Sequence, residues 1–249
     1  MPELVYPPVI TAAKTLFRVL DLRLNVEGGH HVPRTGGVVL ASNHVSYLDF
    51  IFCGFGAHGS RRLVRFMAKH EVFAHKVSGP LMRGMKHIPV NRRAGAASYN
   101  AAVEALRRGE AVGVFPEATI SRSFVVKDLK NGAARMAQEA GVPLLPVALW
   151  GTQRLWTKGR PKNLTRRHTP ITILVGEPID PAAHPDANAL TAELKTRLTE
   201  LVDRAQREYP ESPAGPDDAW WQPAHLGGTA PTLEEAAALD RPRRPTPTP

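Results

Sequence analysis

Between residues 8 and 24 the apolar positions Val9, Leu16, Val19, Leu20 and Leu24 recur near a helical period, with Lys14, Arg18, Asp21 and Arg23 among them. That spacing predicts an amphipathic helix. A basic amphipathic helix can cover its own core or lie in a membrane interface, and both readings stay open here. Beyond it the pattern alternates. Gly36–Ser42, Leu63–Ala68, His87–Val90, Ala111–Phe115, Pro143–Leu149 and Ile171–Val175 are short apolar runs that predict strands. Ser46–Gly56, Gly95–Arg108, Leu129–Ala140 and Leu190–Glu208 predict helices, and residues 70–84 predict short helices broken at Gly79-Pro80. Pro143 and Pro146 cannot donate to a sheet, so that strand is expected at an edge or to be irregular.

Strands alternating with helices predict one α/β domain, a mostly parallel or mixed sheet flanked by helices. Three segments follow: an N-terminal amphipathic helical segment, 1–30; the domain proper, 31–209; and a Pro-rich tail, 210–249. The tail is rich in proline, alanine and threonine with few large apolar residues, a composition that predicts disorder. Its oddity is Trp220-Trp221, which either docks on the body or touches lipid.

The formal net charge of the 249 residues is +9, unevenly spread. The tail holds six acids and three bases, so the body carries +12. A basic body suits nucleic acid, an anionic membrane surface or a phosphorylated substrate. No recognised nucleic-acid motif and no interleaved basic–aromatic stretch is present, which argues against nucleic acid. The single cysteine, Cys53, excludes an internal disulfide and sits in an apolar run that predicts burial. No apolar run approaches the ~20 residues of a membrane span, and no secretory leader is expected.

Four stretches carry candidate chemistry. The first is Asn43-His44-Val45-Ser46-Tyr47-Leu48-Asp49, where a strand meets a helix. Five residues within one helix would set side chains roughly 140° apart. A His44–Asp49 contact therefore requires His44 in the entering loop and Asp49 in the first turn, with Ser46 as N-cap of a Ser46-x-x-Asp49 capping box. In such a pair the carboxylate fixes the imidazole while the other ring nitrogen takes a proton from an attacking hydroxyl. Without it, Asp49 only caps the helix. The second is Phe115-Pro116-Glu117-Ala118-Thr119, at a strand end where α/β proteins bind ligands. The third runs from Gly84 to Arg93, with arginines suited to phosphate. The fourth is Val142-Pro143-Leu144-Leu145-Pro146-Val147, apolar and suited to the core.

In order and spacing these four stretches resemble the glycerolipid acyltransferase family that includes the 1-acylglycerol-3-phosphate acyltransferases. That family carries N-H-x-x-x-x-D, G-x-x-F-[IV]-x-R, F-P-E-G-T-R-S and V-P-[IV]-x-P-[VA]; the resemblance covers roughly residues 10–205. Ala118 stands where the family has glycine and Ile120 where it has arginine, with Arg122 two positions on. The resemblance implies an O-acyltransferase that moves a fatty acyl group from acyl-coenzyme A, or an acyl carrier protein, to the free hydroxyl of lysophosphatidic acid, giving phosphatidic acid. It implies His44 as base with Asp49 holding its ring. Arg92 binds the phosphate, Glu117 bonds the glycerol hydroxyl or orients Arg92, and Asn43, Thr119 and Arg122 add substrate contacts. No metal or cofactor is expected beyond the thioester co-substrate. The expected location is cytoplasmic, peripheral on the inner face of the cell membrane. Other readings remain open: another acceptor (glycerol-3-phosphate, a different lysophospholipid, a lyso-aminolipid or a glycolipid), or a non-catalytic lipid-binding protein.

Overall fold

The computed structural model of the chain describes residues 3–91 and 95–241. Its centre is a sheet of seven strands among the described residues: β1 (Arg23–Glu27), β2 (Val38–Ser42), β3 (Val64–Lys69), β4 (Ile88–Val90), β5 (Ala111–Val114), β6 (Leu144–Trp150) and β7 (Pro170–Val175). Their spatial order is β1-β7-β6-β2-β5-β3-β4. β6, β2, β5, β3 and β4 pair in parallel; β7 runs antiparallel to β6 and parallel to β1. The sheet is therefore mixed.

Central strands buried on both faces read as continuous apolar runs, because the residues that alternate across the sheet all meet helices. In β2, Val39 and Ala41 face one cluster with α5 (Gly95–Arg107), α6 (Gly132–Ala140) and the start of α7 (Ala187–Arg207). Val38 and Leu40 face the other, with Phe17 of α1 (Tyr6–Val19) and Phe52 and Cys53 of α2 (Asp49–Gly56). Burial raises the Cys53 thiol far above its ordinary range, as expected of a small hydrophobe. The short helices α3 (His70–Ala74) and α4 (Ser78–Gly84) pack with Tyr6 through Phe73 and Met82.

The structure corrects several expectations. The N-terminal helix ends at Val19, and Arg23–Glu27 is a strand paired with β7, so the sheet begins inside the 1–30 segment. Its sequence, Arg-Leu-Asn-Val-Glu, is too short and polar to announce a strand. The break in residues 70–84 falls before Ser78, and Gly79-Pro80 lie in the first turn of α4, where a missing N–H costs nothing. β6 is an interior strand between β7 and β2, fully buried despite its proline. The N–H and C=O of one strand residue face the same neighbour. The Pro146 carbonyl accepts Gly176 N–H just past the end of β7, and Leu144 pairs with Ile179, so at the proline the facing segment carries one residue more than β6 and the pairing is irregular, as the proline predicts. A side chain at Gly176 would strike the Pro146 ring.

The expected disorder of 210–249 does not hold for residues 210–241. They form 3₁₀ turns at Pro216–Trp221 and Ala224–Leu226, then helix α8 (Leu233–Asp240). Trp221 is 2% exposed and packs on Tyr209, with the Arg154 guanidinium 4.4 Å over its ring. Arg154 also pairs with Glu211. A few large anchors thus hold a segment whose average composition predicts none. Residues 242–249 lie outside the described residues.

Candidate active site

β2, β5 and β6 are parallel neighbours, so their carboxyl ends open on one edge of the sheet. Asn43-His44 leaves β2, Phe115-Pro116-Glu117 leaves β5, and Gly151-Thr152 leaves β6. His44 lies in the loop and Asp49 is the first residue of α2. Nδ1 of His44 is 2.9 Å from Oδ2 of Asp49. That same oxygen accepts the backbone N–H groups of Val45 and Ser46, each at 2.7 Å, and Oδ1 accepts the Thr152 hydroxyl at 2.6 Å. A carboxylate accepting so many donors leaves Nδ1 of His44 as the protonated nitrogen and Nε2 as the acceptor. Among the described residues no hydrogen bond reaches Nε2. The imidazole stacks on Phe115 at 4.3 Å and 21°, so ring rotation is blocked from one side.

The loop is fixed from behind. Glu117 Oε1 accepts the His44 N–H at 2.8 Å, and its Oε2 accepts the Lys127 N–H at 3.3 Å. The carboxyl is buried, and desolvation raises its pKa to about 7 against those two N–H groups and the Lys127 charge. Ser121 N–H donates to the His44 carbonyl at 2.7 Å. Thr157 donates its hydroxyl to the Val45 carbonyl at 2.6 Å, and Ser46 donates to the Trp156 carbonyl at 2.6 Å. Half of the expected capping box forms: Asp49 takes the Ser46 N–H, but the Ser46 hydroxyl bonds Trp156 and Leu48, and the helix N-cap is Leu48.

The other sequence candidates separate. Asn43 is buried and exchanges both amide atoms with the Leu149 backbone, Nδ2 to O at 3.0 Å and Oδ1 from N at 2.7 Å. It pins β2 to β6 through one N–H of Nδ2 and one lone pair of Oδ1. Thr119 is exposed, its hydroxyl and carbonyl taking the Lys127 ammonium at 2.6 and 2.9 Å. Arg122 bonds Asp240. Arg92 lies outside the described residues. Among the described residues no cluster of three or more His, Cys, Asp or Glu side chains could hold a metal ion.

The acyltransferase family model matches residues 23–150. The chain is 31% identical over 204 residues to the 1-acyl-sn-glycerol-3-phosphate acyltransferase of Bacillus subtilis, covering 77% of this chain and 96% of that one. This chain belongs to the acyltransferase family. It is 35% identical over 145 residues to the enzyme of the same name from Neisseria gonorrhoeae, spanning 57% of this chain and 54% of that one. The crystal structure of the 1-acyl-sn-glycerophosphate (LPA) acyltransferase PlsC from Thermotoga maritima matches with a TM-score of 0.71 at 26% identity, over 82% of this chain and 81% of that one. The chain is thus an O-acyltransferase, and its mixed sheet is the fold of that relative. Two members of this acyltransferase's His44 shell escaped sequence reasoning, Thr152 and Thr157. Neither lies in a motif; only the strand order brings the β6 end beside β2.

An apolar cavity of about 230 Å³ lies between α1, α2 and α4, lined by Val9, Ile10, Phe50, Phe55, Leu81 and Met82 among others. α1 has two faces. Tyr6 and Phe17 are buried, whereas Leu16 and Val19 are 52% and 59% exposed, on one face with Thr11, Ala12 and Thr15; Lys14 lies round the helix from them and bonds His58. Among the described residues no helix is long and apolar enough to cross a membrane.

Proposed function

We propose that this acyltransferase moves a fatty acyl group from a thioester, acyl-coenzyme A or acyl carrier protein, to the free hydroxyl of lysophosphatidic acid, with His44 as base. The observation that carries this is a histidine tethered through Nδ1 to a buried carboxylate, with Nε2 left unbonded among the described residues. The relatives' names supply the acceptor. Nε2 removes the hydroxyl proton as the oxygen attacks the thioester carbonyl. The tetrahedral intermediate collapses, the C–S bond breaks, and the leaving thiolate takes the proton back from the imidazolium. The acyl group never resides on the protein, so Cys53 has no part. Asp49 fixes the ring; Asn43, Glu117 and Thr152 are positioning residues. The cavity under α1 suits an acyl chain in its apolar lining. The exposed Leu16–Val19 face of α1, on a chain of net charge +9, suits the surface of an anionic membrane, on the inner, cytoplasmic side.

The test is acyl transfer from oleoyl-coenzyme A to lysophosphatidic acid, followed by mass spectrometry. Wild type yields phosphatidic acid. His44→Ala, with unchanged melting temperature, loses about 10²–10⁴-fold in rate, the span of general base catalysis. Near wild-type turnover in that variant removes His44 from the mechanism.

A further inference from the structure

The cavity between α1, α2 and α4 has an apolar wall with few polar side chains in it, and most of these are engaged elsewhere. Tyr6 donates its hydroxyl to the Val64 carbonyl at 2.8 Å, and Ser78 donates to the Val72 carbonyl at 2.8 Å. Arg62 is held by the carbonyls of Pro33, Gly36 and Gly109. His58 is exposed, and its Nε2 takes the Lys14 ammonium at 2.6 Å.

His87 is different. It is 6% exposed, and its Nδ1 accepts the Phe66 N–H at 3.0 Å. An imidazole nitrogen that accepts carries no proton, so Nε2 carries it. Burial, with the Arg65 charge nearby, lowers the pKa of the ring to about 4, so that tautomer persists through the neutral range. Tyr6 and Phe66 fix the ring's plane, each edge-on with centroids 5.8 Å away. Among the described residues the Nε2–H meets no acceptor, and Nε2 is not sealed in the packing. The space beside the ring is the cavity.

A donor held rigidly in an apolar wall is costly unless something accepts from it. A plain hydrocarbon chain offers no acceptor. A chain with a hydroxyl or keto oxygen does, and that oxygen elsewhere in the cavity would lose its water and gain no partner. A ladder of rings leads here from the base: His44 lies 4.3 Å from Phe115, Phe115 6.1 Å from Phe66, and Phe66 5.8 Å from His87. Three ring contacts separate His87 from His44, so His87 meets the body of an acyl chain and not the thioester carbonyl.

We propose that the cavity is a site for an oxygenated acyl chain, with the His87 Nε2–H donating to a hydroxyl or keto oxygen part-way along it. This rests on the reading of the cavity as the acyl-chain pocket. His87 is then a specificity-determining residue, and what it reads is the position of the oxygen along the chain.

The test compares positional isomers of hydroxystearoyl-coenzyme A, with stearoyl-coenzyme A as reference and lysophosphatidic acid as acceptor. In wild type one isomer, or two neighbouring ones, has a kcat/KM about five- to a hundredfold above the rest, the cost of leaving a buried hydroxyl unpaired. His87→Asn flattens that preference. Its Oδ1 stands where Nδ1 did and keeps the Phe66 N–H, while the reach of Nε2–H is lost, so the variant tests the donor and not the fold. Rates are compared as ratios between isomers within one protein, so a general loss of activity cancels. A second readout needs no turnover: one isomer of unesterified hydroxystearic acid shifts the His87 Nε2–H resonance of histidine-labelled protein, and stearic acid does not. Equal kcat/KM for all isomers in wild type, or a preference that survives His87→Asn, overturns the inference. If that happens while stearoyl transfer stays His44-dependent, the proposed reaction stands and only the oxygen site falls. An isomer-specific shift of the Nε2–H resonance in a protein that does not acylate lysophosphatidic acid does the reverse.

Discussion

At the scale of single residues, burial moves the titration of Glu117 into the neutral range. Its folded pKa of about 7 lies above the ordinary value of 4.5, so the native state holds a proton that the unfolded state has released. A raised acid pKa means stability is fully present below about 4.5 and falls as pH rises towards 7. Glu117→Gln imitates the protonated form and does not titrate. Its melting temperature relative to wild type therefore rises between pH 5 and pH 8, by calorimetry. A difference independent of pH would mean that Glu117 ionises as readily folded as unfolded. His44 and Asp49 were legible in the sequence because their spacing and the strand–helix junction are local. Asn43 was legible as a motif residue, but its hydrogen bonds to Leu149 were not, since that partner lies 106 positions away.

At the scale of elements, the loop after β5 carries a departure from the family pattern that the backbone makes concrete. Ala118 has a φ of +61°, a left-handed conformation in which a Cβ costs roughly 1–2 kcal/mol. Glycine avoids that cost but is freer in the unfolded chain, by about 0.4–1 kcal/mol. Ala118→Gly is therefore expected to stabilise by no more than about 1.6 kcal/mol. The urea midpoint measures it; a clear destabilisation would mean that the Ala118 methyl makes contacts worth more than the strain. β6 is interior, not an edge, and its irregularity sits at Pro146, where the facing segment carries one residue more than β6. Which of the two readings holds cannot be read from the residues of β6, because strand order decides it.

At the scale of the whole molecule, the segment after α7 decides the shape of the back of the sheet. Trp221 joins Trp150, Tyr209, Leu198 and Val202 in one buried cluster. Trp221→Ala is expected to destabilise by about 3–5 kcal/mol through the cavity it leaves, shifting the denaturant midpoint with little change in slope. A loss under about 0.5 kcal/mol, the range of plain surface changes, would show that the segment does not dock in solution. Trp220, half-buried with Arg160 5.0 Å over its ring, holds the outer rim of the same contact.

The sequence by itself determined the α/β class, nearly every strand and helix and the pairing of His44 with Asp49. Hydrophobic period, chain punctuation and five-residue spacing are local properties that short-range forces act on directly. Only the tertiary structure decided which strand ends share an edge, and so that Thr152 completes the Asp49 shell and Leu149 holds Asn43. It also decided that Arg154 and a greasy cluster catch Trp221, and that Asp240 comes to rest on Arg122, 118 residues before it. Those contacts depend on strand order and on the shape complementarity of surfaces far apart in the chain, and neither is written in the residues of any one segment.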